Sequence, residues 1–431
     1  MTNKTYSEHI LDNGLTVLLE ENHSAPVISQ WIWYRVGSRN EVPGKTGISH
    51  WVEHMLFRGS ERYPGLEGPE AISRSGGTLN AGTSWDWTAF HETMPADRIA
   101  VAVDMEADRM ENALFDPEDV ETERTVILSE LEGGEYGAGF CLETALLKMF
   151  FPNHPYGRKV IGEAEDVQRL TRDDLYSHYR NWYAPNNAVI AAAGNFEKDD
   201  MLRLIEAAFG QIPARLLPVQ HILPDGPVRG PLRIGKRGLW PGSELRICWQ
   251  GPDAADPDLP ALMLLSTILA GPSEINTFDE GCLPNRKSRL FRKLSAEGLR
   301  PDIAGLFTVM RDPGMYTLLF RGSSAAESES AAEVIFRELD NIAGRGAVPA
   351  EMSGALKQMK AMFAAAAEDA EARARWLGYG AMLDDPDWCD IFLTRLESVT
   401  EEDISRAAGR FLRRDSSVTA IYSKEEESDE E

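Results

Sequence analysis

Two histidines and a glutamate lie within five positions of each other in the segment GISHWVEHMLFRG, residues 47–59. His50 and His54 are four residues apart, so on a helix their imidazoles share one face and can converge on a single ion. Imidazole suits zinc, and a catalytic zinc takes three protein ligands and a water molecule. Glu53 is adjacent to that face and could accept a proton from the bound water. Two histidines at this spacing are more often ordinary surface or core residues, so this pattern leaves both interpretations open.

The order His-x-x-Glu-His is the inverted form of a known zinc motif and therefore favours metal binding. A third ligand is available in the helix predicted for residues 116–134, which carries Glu123 and Glu130 seven positions apart, two turns along one face. Glu130 lies 76 positions beyond His54. A solvated acidic helix face would account for the same two glutamates.

The elements that must position these residues are a mixture of strands and helices. Segments LTVLLEEN and VISQWIWYRVG alternate as strands do, and residues 76–94 predict a strand pair after a Gly-Gly turn. Residues 47–59 predict a helix with Ser49 near its start and Gly59 at its end. The helix at 116–134 opens with acidic residues and closes with glycines, as the helix dipole favours. Since strands and helices do not alternate regularly, the predicted fold class is α+β.

A chain of 431 residues predicts two domains of similar size. The Pro- and Gly-rich stretch at 210–234 is typical of a linker. A weak repeat supports two copies of one fold, because an amphipathic helix, a polar turn and a strand recur at the end of each half, with Asp174, Trp182 and Val189 matched by Asp403, Phe411 and Val418. We therefore predict a zinc-bearing domain at 1–215, a linker at 216–234, a homologous non-catalytic domain at 235–423 and an acidic tail at 424–431.

The composition excludes several classes of partner. The net charge of −25 argues against nucleic acid or an anionic membrane and fits either simple solubility or a preference for basic substrates. The sequence has no run of 18 apolar residues, so it predicts no membrane-spanning helix. The N-terminus lacks the apolar core of a signal peptide, which indicates a cytoplasmic protein, although a signal already removed would leave no trace. Four widely separated cysteines predict buried free thiols: Cys141, Cys248, Cys282 and Cys389.

The first half resembles the inverzincin metallopeptidases of the pitrilysin family, which includes insulin-degrading enzyme and the two-subunit processing peptidases. The family has His-x-x-Glu-His, then a glutamate ligand about 75 residues later and another glutamate seven residues before that ligand. The segments that carry the resemblance are VGSRNEVPGKTGISHWVEHMLFRGSERYPG, GGTLNAGTSWDWTAFHETM, ERTVILSELE, HPYGRKVIG and YAPNNAVIAAAGNF. The resemblance implies that His50, His54 and Glu130 bind one Zn²⁺ per chain. It also implies that Glu53 is the general base and that Glu123 supports the site.

The same resemblance assigns substrate binding to the segment TLNAGTS, where small residues let a foreign backbone approach. Asn80 and Ala81 would face an unfolded peptide added to the edge of a sheet. An ordinary hairpin strand is the alternative interpretation of that segment.

The second half resembles the non-catalytic half of the family, which in active single-chain members carries an arginine and a tyrosine seven positions later. These two side chains contact the substrate beside the zinc and can steady a developing oxyanion. Here the two positions fall at or near Ser295 and around Pro301 or Asp302, and the next tyrosine, Tyr316, is far out of register. The sequence therefore predicts a zinc endopeptidase whose Arg/Tyr pair comes from a second, homologous subunit, unless the enzyme works poorly or without that pair.

Two alternatives to that hypothesis remain open. One is a non-catalytic assembly subunit, like the core proteins of respiratory complexes, although such proteins lack the zinc residues that are present here. The other is a peptidase dedicated to a single precursor peptide. Metal analysis separates the first alternative from the hypothesis, and digestion of a peptide library separates the second.

Overall fold

A computed structural model describes residues 4–135, 138–272, 285–365 and 367–424. The described strands form two sheets, one of six strands and one of five. The strands are β1 (Ser7–Ile10), β2 (Thr16–Glu21), β3 (Val27–Tyr34), β4 (Thr78–Thr83), β5 (Thr88–Pro95), β6 (Ala188–Gly194), β7 (Leu232–Gly238), β8 (Ser243–Gln250), β9 (Asp302–Leu306), β10 (Met315–Gly322) and β11 (Val418–Lys424).

The described helices lie between these strands without a regular alternation, so the α+β prediction is confirmed. They are α1 (Ile48–Met55), α2 (Glu67–Arg74), α3 (Ile99–Asn112), α4 (Pro117–Glu135), α5 (Ala138–Phe150), α6 (Ala164–Arg169), α7 (Arg172–Trp182), α8 (Lys198–Phe209), α9 (Leu259–Leu269), α10 (Arg289–Ala296), α11 (Ala325–Arg345), α12 (Pro349–Ala365), α13 (Ala370–Met382), α14 (Trp388–Glu397) and α15 (Glu401–Phe411). None of them is both long enough and apolar enough to cross a lipid bilayer.

The first sheet has the strand order β1-β2-β6-β3-β5-β4, and its central strand β3 is covered on both faces. Trp31 and Trp33 stack on each other, and Trp33 lies against Tyr379 of α13. The side chains on the other face of the sheet meet α3. The guanidinium of Arg109, in α3, lies over the ring of Phe90, in β5. Because both faces are covered, seven of the eight residues of β3 are buried in succession.

The second sheet, ordered β7-β11-β8-β10-β9, repeats five strands of the first. β11 runs parallel to β7 and antiparallel to β8, just as β6 runs parallel to β2 and antiparallel to β3. The preceding helices α7 and α15 begin with the same capping box, in which Thr171 pairs with Asp174 and Thr400 with Asp403. The weak sequence repeat is therefore a repeat of structure, and the prediction of two homologous domains is confirmed.

The chain packs into two compact units that are discontinuous in sequence. The first comprises residues 1–131, 158–222 and 364–389, and it includes α13, which packs on β2, β3 and β6. The second comprises residues 132–157, 223–363 and 390–431, and it includes α5, which packs on β7, β8 and β11. Each sheet is thus covered by a helix from the opposite half of the sequence, which sequence reasoning did not anticipate. The continuous bounds of the two homologous domains and their linker, 1–215, 216–234 and 235–423, stay a prediction.

Some smaller expectations are revised. Of the described cysteines only Cys248 is buried, whereas Cys141 and Cys389 are half-buried, so the prediction of uniformly buried thiols is wrong for those two. Cys282 lies outside the described residues. The tail was predicted to begin at residue 424, but Lys424 is the last residue of β11, and residues 425–431 lie outside the described part of the chain.

Candidate metal centre

The helix that carries the two histidines is shorter than predicted and is anchored differently. It ends at Met55, not at Gly59, and its start is Gly47, whose φ of 82° places it in the left-handed region. A side chain at Gly47 would put its Cβ 2.4 Å from the carbonyl oxygen of Ile161, so only glycine fits there. The orphan amides of the first turn are satisfied by Glu41, which accepts hydrogen bonds of 2.9 Å from the backbone N–H groups of Gly47 and Ser49.

The three predicted ligands lie together in the first compact unit. The ligand atoms of His50, His54 and Glu130 all lie within 4.8 Å of one another. The two imidazoles, one helical turn apart on α1, have ring centroids 4.6 Å apart. Glu130 comes from α4, and its Oε2 lies 4.0 Å from Nε2 of His54. The structure thus brings together the two elements that the sequence spacing had linked.

Glu123 lies behind His54 and fixes the orientation of its ring. The carboxylate is buried, and its Oε2 lies 2.8 Å from Nδ1 of His54. Its other oxygen accepts hydrogen bonds from Arg58, whose Nε is 2.6 Å away. With Nδ1 engaged in this way, Nε2 of His54 is the nitrogen left for a ligand, an arrangement common for metal-binding histidines. Sequence reasoning identified Glu123 and missed Arg58, although Arg58 lies only three residues beyond the motif helix.

Burial sets the protonation of the two remaining motif residues. Desolvation lowers the pKa of His50 to about 3, with a further contribution from His54, so the ring is neutral and able to bind a metal at neutral pH. Desolvation raises the pKa of Glu53, while a hydrogen bond from Thr83 and the proximity of His54 oppose that rise. Thr83 donates this hydrogen bond to Glu53 Oε2 over 2.6 Å. A carboxylate with a raised pKa is better suited to accept a proton near neutrality.

The residues present fit a zinc ion. Two imidazoles and one carboxylate form a known donor set for catalytic zinc. His50 Nδ1 is buried, and among the described residues it has no hydrogen-bond partner. An unpaired buried nitrogen beside two further donors is costly unless something binds there. That no other such cluster occurs in the described ranges makes this the candidate centre.

The predicted substrate residues lie on the outermost strand of the first sheet. β4 pairs with β5 and ends the strand order of that sheet. Asn80 is exposed, and its side-chain oxygen accepts a hydrogen bond of 2.9 Å from the backbone N–H of Ala81. The last residue of β4, Thr83, is the residue that contacts Glu53. One strand therefore connects a sheet edge to the candidate base.

The structure also shows where the residues lie that stand in place of the Arg/Tyr pair. Ser295 is exposed near the end of α10, and Asp302 begins β9. Tyr316, the next tyrosine along the chain, is fully buried and donates a hydrogen bond of 3.1 Å to Ser266 Oγ. Its phenol is therefore committed to the core of the second unit.

Two family models match consecutive parts of the chain. Residues 16–164 match the model described as insulinase, peptidase family M16, and this range includes all five predicted metal-centre residues. Residues 169–359 match the model described as the peptidase M16 inactive domain.

Curated relatives and solved structures extend the likeness to almost the whole chain. An uncharacterised zinc protease of Streptomyces coelicolor is 27% identical over 422 residues, which cover 95% of this chain and 88% of that one. A mitochondrial-processing peptidase subunit beta of Blastocladiella emersonii is 25% identical over 421 residues, covering 95% and 87%. The crystal structure of a protease from Helicobacter pylori superposes with a TM-score of 0.88 at 20% identity and covers 97% of this chain and 99% of that one.

Proposed function

Since the chain belongs to peptidase family M16, we propose that it is a zinc-dependent endopeptidase that cleaves unfolded peptides. The observation that carries this proposal is the convergence of His50, His54 and Glu130 within 4.8 Å, with Glu53 on the same helix. The curated relatives named as zinc proteases support the choice of metal.

In this proposal, His50, His54 and Glu130 hold the zinc. When bound, zinc would polarise the scissile carbonyl and lower the pKa of a water molecule at the site. Glu53 accepts the proton of the attacking water and later delivers it to the departing amine. Burial raises the pKa of Glu53, which makes both transfers accessible near neutral pH. Glu123, held by Arg58, keeps the His54 ring in the orientation that presents Nε2.

The substrate would bind as an additional strand along β4. Backbone pairing at a sheet edge requires an extended chain, so unfolded peptides fit and compact proteins do not. Asn80 and Ala81 would contact the peptide, and Thr83 at the end of the strand brings it beside Glu53. The net charge of −25 supports a preference for basic peptides that weakens as salt is added.

A second subunit would complete the site. The positions near Ser295 and Asp302 offer no arginine and tyrosine, and Tyr316 is buried. Loss of one well-placed oxyanion donor costs about 10² to 10³ in rate. The likeness to a processing-peptidase beta subunit supports a homologous partner that supplies the pair.

Metal analysis and one substitution test the catalytic proposal. We expect about one zinc per chain and loss of peptide hydrolysis on chelation. Glu53→Gln is expected to retain zinc and to lose hydrolysis, because it removes the base and keeps the ligands. A Glu53→Gln chain that cleaves peptides normally would exclude Glu53 as the base, and a wild-type chain without zinc would exclude the metal centre.

Titration with a homologous chain tests the partner proposal. The chain alone should be weakly active or inactive and should gain activity, with a matching increase in mass, when a homologue that carries the Arg/Tyr pair is added. Full activity from a chain shown to be monomeric would contradict this. Absence of both zinc and hydrolysis under either condition would instead favour the assembly-subunit alternative.

A further inference from the structure

Thr83 makes the shortest described hydrogen bond to the candidate base. Its hydroxyl lies 2.6 Å from Glu53 Oε2, which is typical of a hydroxyl that donates to a charged carboxylate. Thr83 is the last residue of β4, and its Cα partner in the hairpin is Thr88 of β5. The backbone of two paired strands therefore fixes the position of this hydroxyl, whereas Glu53 is carried by a helix.

The buried hydroxyl groups behind Thr83 determine which way its proton points. Thr88 donates its only hydroxyl proton to the carbonyl oxygen of Val36 over 2.8 Å. The contact between the Thr83 and Thr88 hydroxyls is longer, at 3.4 Å, and Tyr183 approaches Thr88 at the same distance. Thr83 also has a single hydroxyl proton. The Glu53 carboxylate, 2.6 Å away, is by far the strongest acceptor within its reach. The proton of Thr83 therefore points at Glu53.

This hydrogen bond determines which oxygen of the Glu53 carboxylate is left to accept a proton. Thr83 occupies Oε2, so Oε1 is left to receive a proton, and the carboxylate plane is held against rotation. A base that is free to rotate would spend part of its time with neither oxygen aimed at the reacting water. Because Thr83 belongs to the same strand as Asn80 and Ala81, the base is also held in register with the strand on which the peptide would lie.

We propose that Thr83 is a positioning residue that orients the Glu53 carboxylate for proton transfer, a role that rests on the proposed peptidase function. Its described side-chain hydrogen bonds go to Glu53 and Thr88, so it acts on the reaction through Glu53. Its hydroxyl, and not its size or its strand pairing, is the group that matters.

Three variants separate the hydroxyl from the shape of the side chain. Thr83→Val keeps the branched shape and removes the donor, Thr83→Ser keeps the donor, and Thr394→Val makes the same change at an exposed position of α14, outside the proposed binding strand. With zinc-loaded chain and a fluorogenic peptide, Thr83→Val should lower kcat by up to about 100-fold, the loss that a misplacement of about 1 Å in a reacting group can cause. KM and zinc content should stay unchanged, Thr83→Ser should restore most of kcat, and Thr394→Val should match the wild type.

A second measurement does not depend on catalysis. Thermal unfolding of Thr83→Val, Glu53→Gln and the double variant forms a cycle, and the hydrogen bond to a charged carboxylate should make the two changes non-additive. Thr83→Val should lower the melting temperature more in the wild type than in the Glu53→Gln background.

Two results would overturn the proposal: additive shifts in melting temperature, or equal kcat losses in Thr83→Val and Thr83→Ser. If the wild-type chain cleaves no peptide either alone or with a homologue that carries the Arg/Tyr pair, the peptidase proposal fails by itself. The unfolding cycle then still decides whether Thr83 orients Glu53.

Discussion

Glu123→Gln is the substitution that most directly tests how the metal centre is held. The carboxylate is buried and receives donors on both oxygens, Nδ1 of His54 at 2.8 Å on one and Arg58 on the other. Glutamine has the same shape but offers one oxygen and one NH₂ group. Whichever way the amide turns, its NH₂ faces a donor, either the Arg58 guanidinium or the His54 ring.

The expected loss follows from the bond that is removed. A buried hydrogen bond to a charged group contributes about 1.5–3 kcal/mol. If that free energy holds the His54 ring in its binding orientation, zinc affinity should fall by about 10- to 140-fold. This range agrees with the factor of about 10 to 100 typical of partners that orient metal ligands.

Zinc affinity can be measured by competition with a chromophoric chelator. Glu118→Gln is the matched control, because Glu118 is an exposed residue at the start of the same helix and the change removes the same charge. The melting temperature of the metal-free chain should be recorded for both variants, since a loss of stability alone would lower affinity indirectly.

A Glu123→Gln chain that binds zinc within a factor of about two of the wild type, a difference of only some 0.4 kcal/mol, would refute the reasoning. It would mean that the helix alone orients His54 and that the Glu123–Arg58 pair is dispensable. An equal loss in Glu118→Gln would mean that net charge, and not the local hydrogen bond, controls affinity.

Three further predictions concern the scaffold. Gly378→Ala should destabilise the chain by about 1–3 kcal/mol in denaturant unfolding, because the new Cβ would lie 1.9 Å from Nε1 of Trp33, whereas Gly354→Ala, with open space around it, should be neutral or stabilising. Burial and the neighbouring Glu106 raise the pKa of Glu92, so its contribution to stability is present at acidic pH and lost as the pH rises; Glu92→Gln should flatten that dependence in thermal unfolding. A fragment of residues 1–222 lacks α13 and should show no cooperative unfolding in calorimetry, because the tryptophan face of the first sheet would be exposed.

Much of the site could be predicted from the sequence because its chemistry depends on local spacing. His50 and His54 need only a helical turn to converge, and Glu123 and Glu130 need only two turns of a second helix. The strands β2 to β5 followed from alternation and from turn residues. What these patterns could not give is the face that each helix presents to the other, which depends on packing in three dimensions.

The groups that hold the site were missed for the same reason. Glu41, Arg58 and Thr83 support the site through long-range or loop-mediated hydrogen bonds. Glu41 holds the start of α1, Arg58 contacts Glu123, and Thr83 contacts Glu53. A threonine at the end of a hairpin strand carries no signal beyond β propensity. One clue was available, since Thr83 and Thr88 flank the turn of the predicted strand pair and must face each other across it. The covering of the first sheet by α13 had no local signal at all.

The repeated fold explains why the described residues form one candidate metal centre and not two. α1 follows β3 and packs on α7, and in the second unit α9 follows β8 and packs on α15, the repeat of α7. The two helices therefore hold matching places in the two copies. Where α1 presents imidazoles and a carboxylate, α9 reads LPALMLLSTIL, and all eleven of its residues are buried. Its two polar residues, Ser266 and Thr267, are buried, and it carries no imidazole or carboxylate that could bind a metal. In the proposed peptidase, the second copy is therefore structural at the place where the first carries the candidate metal centre, so any additional catalytic group would come from another part of its surface or from another chain.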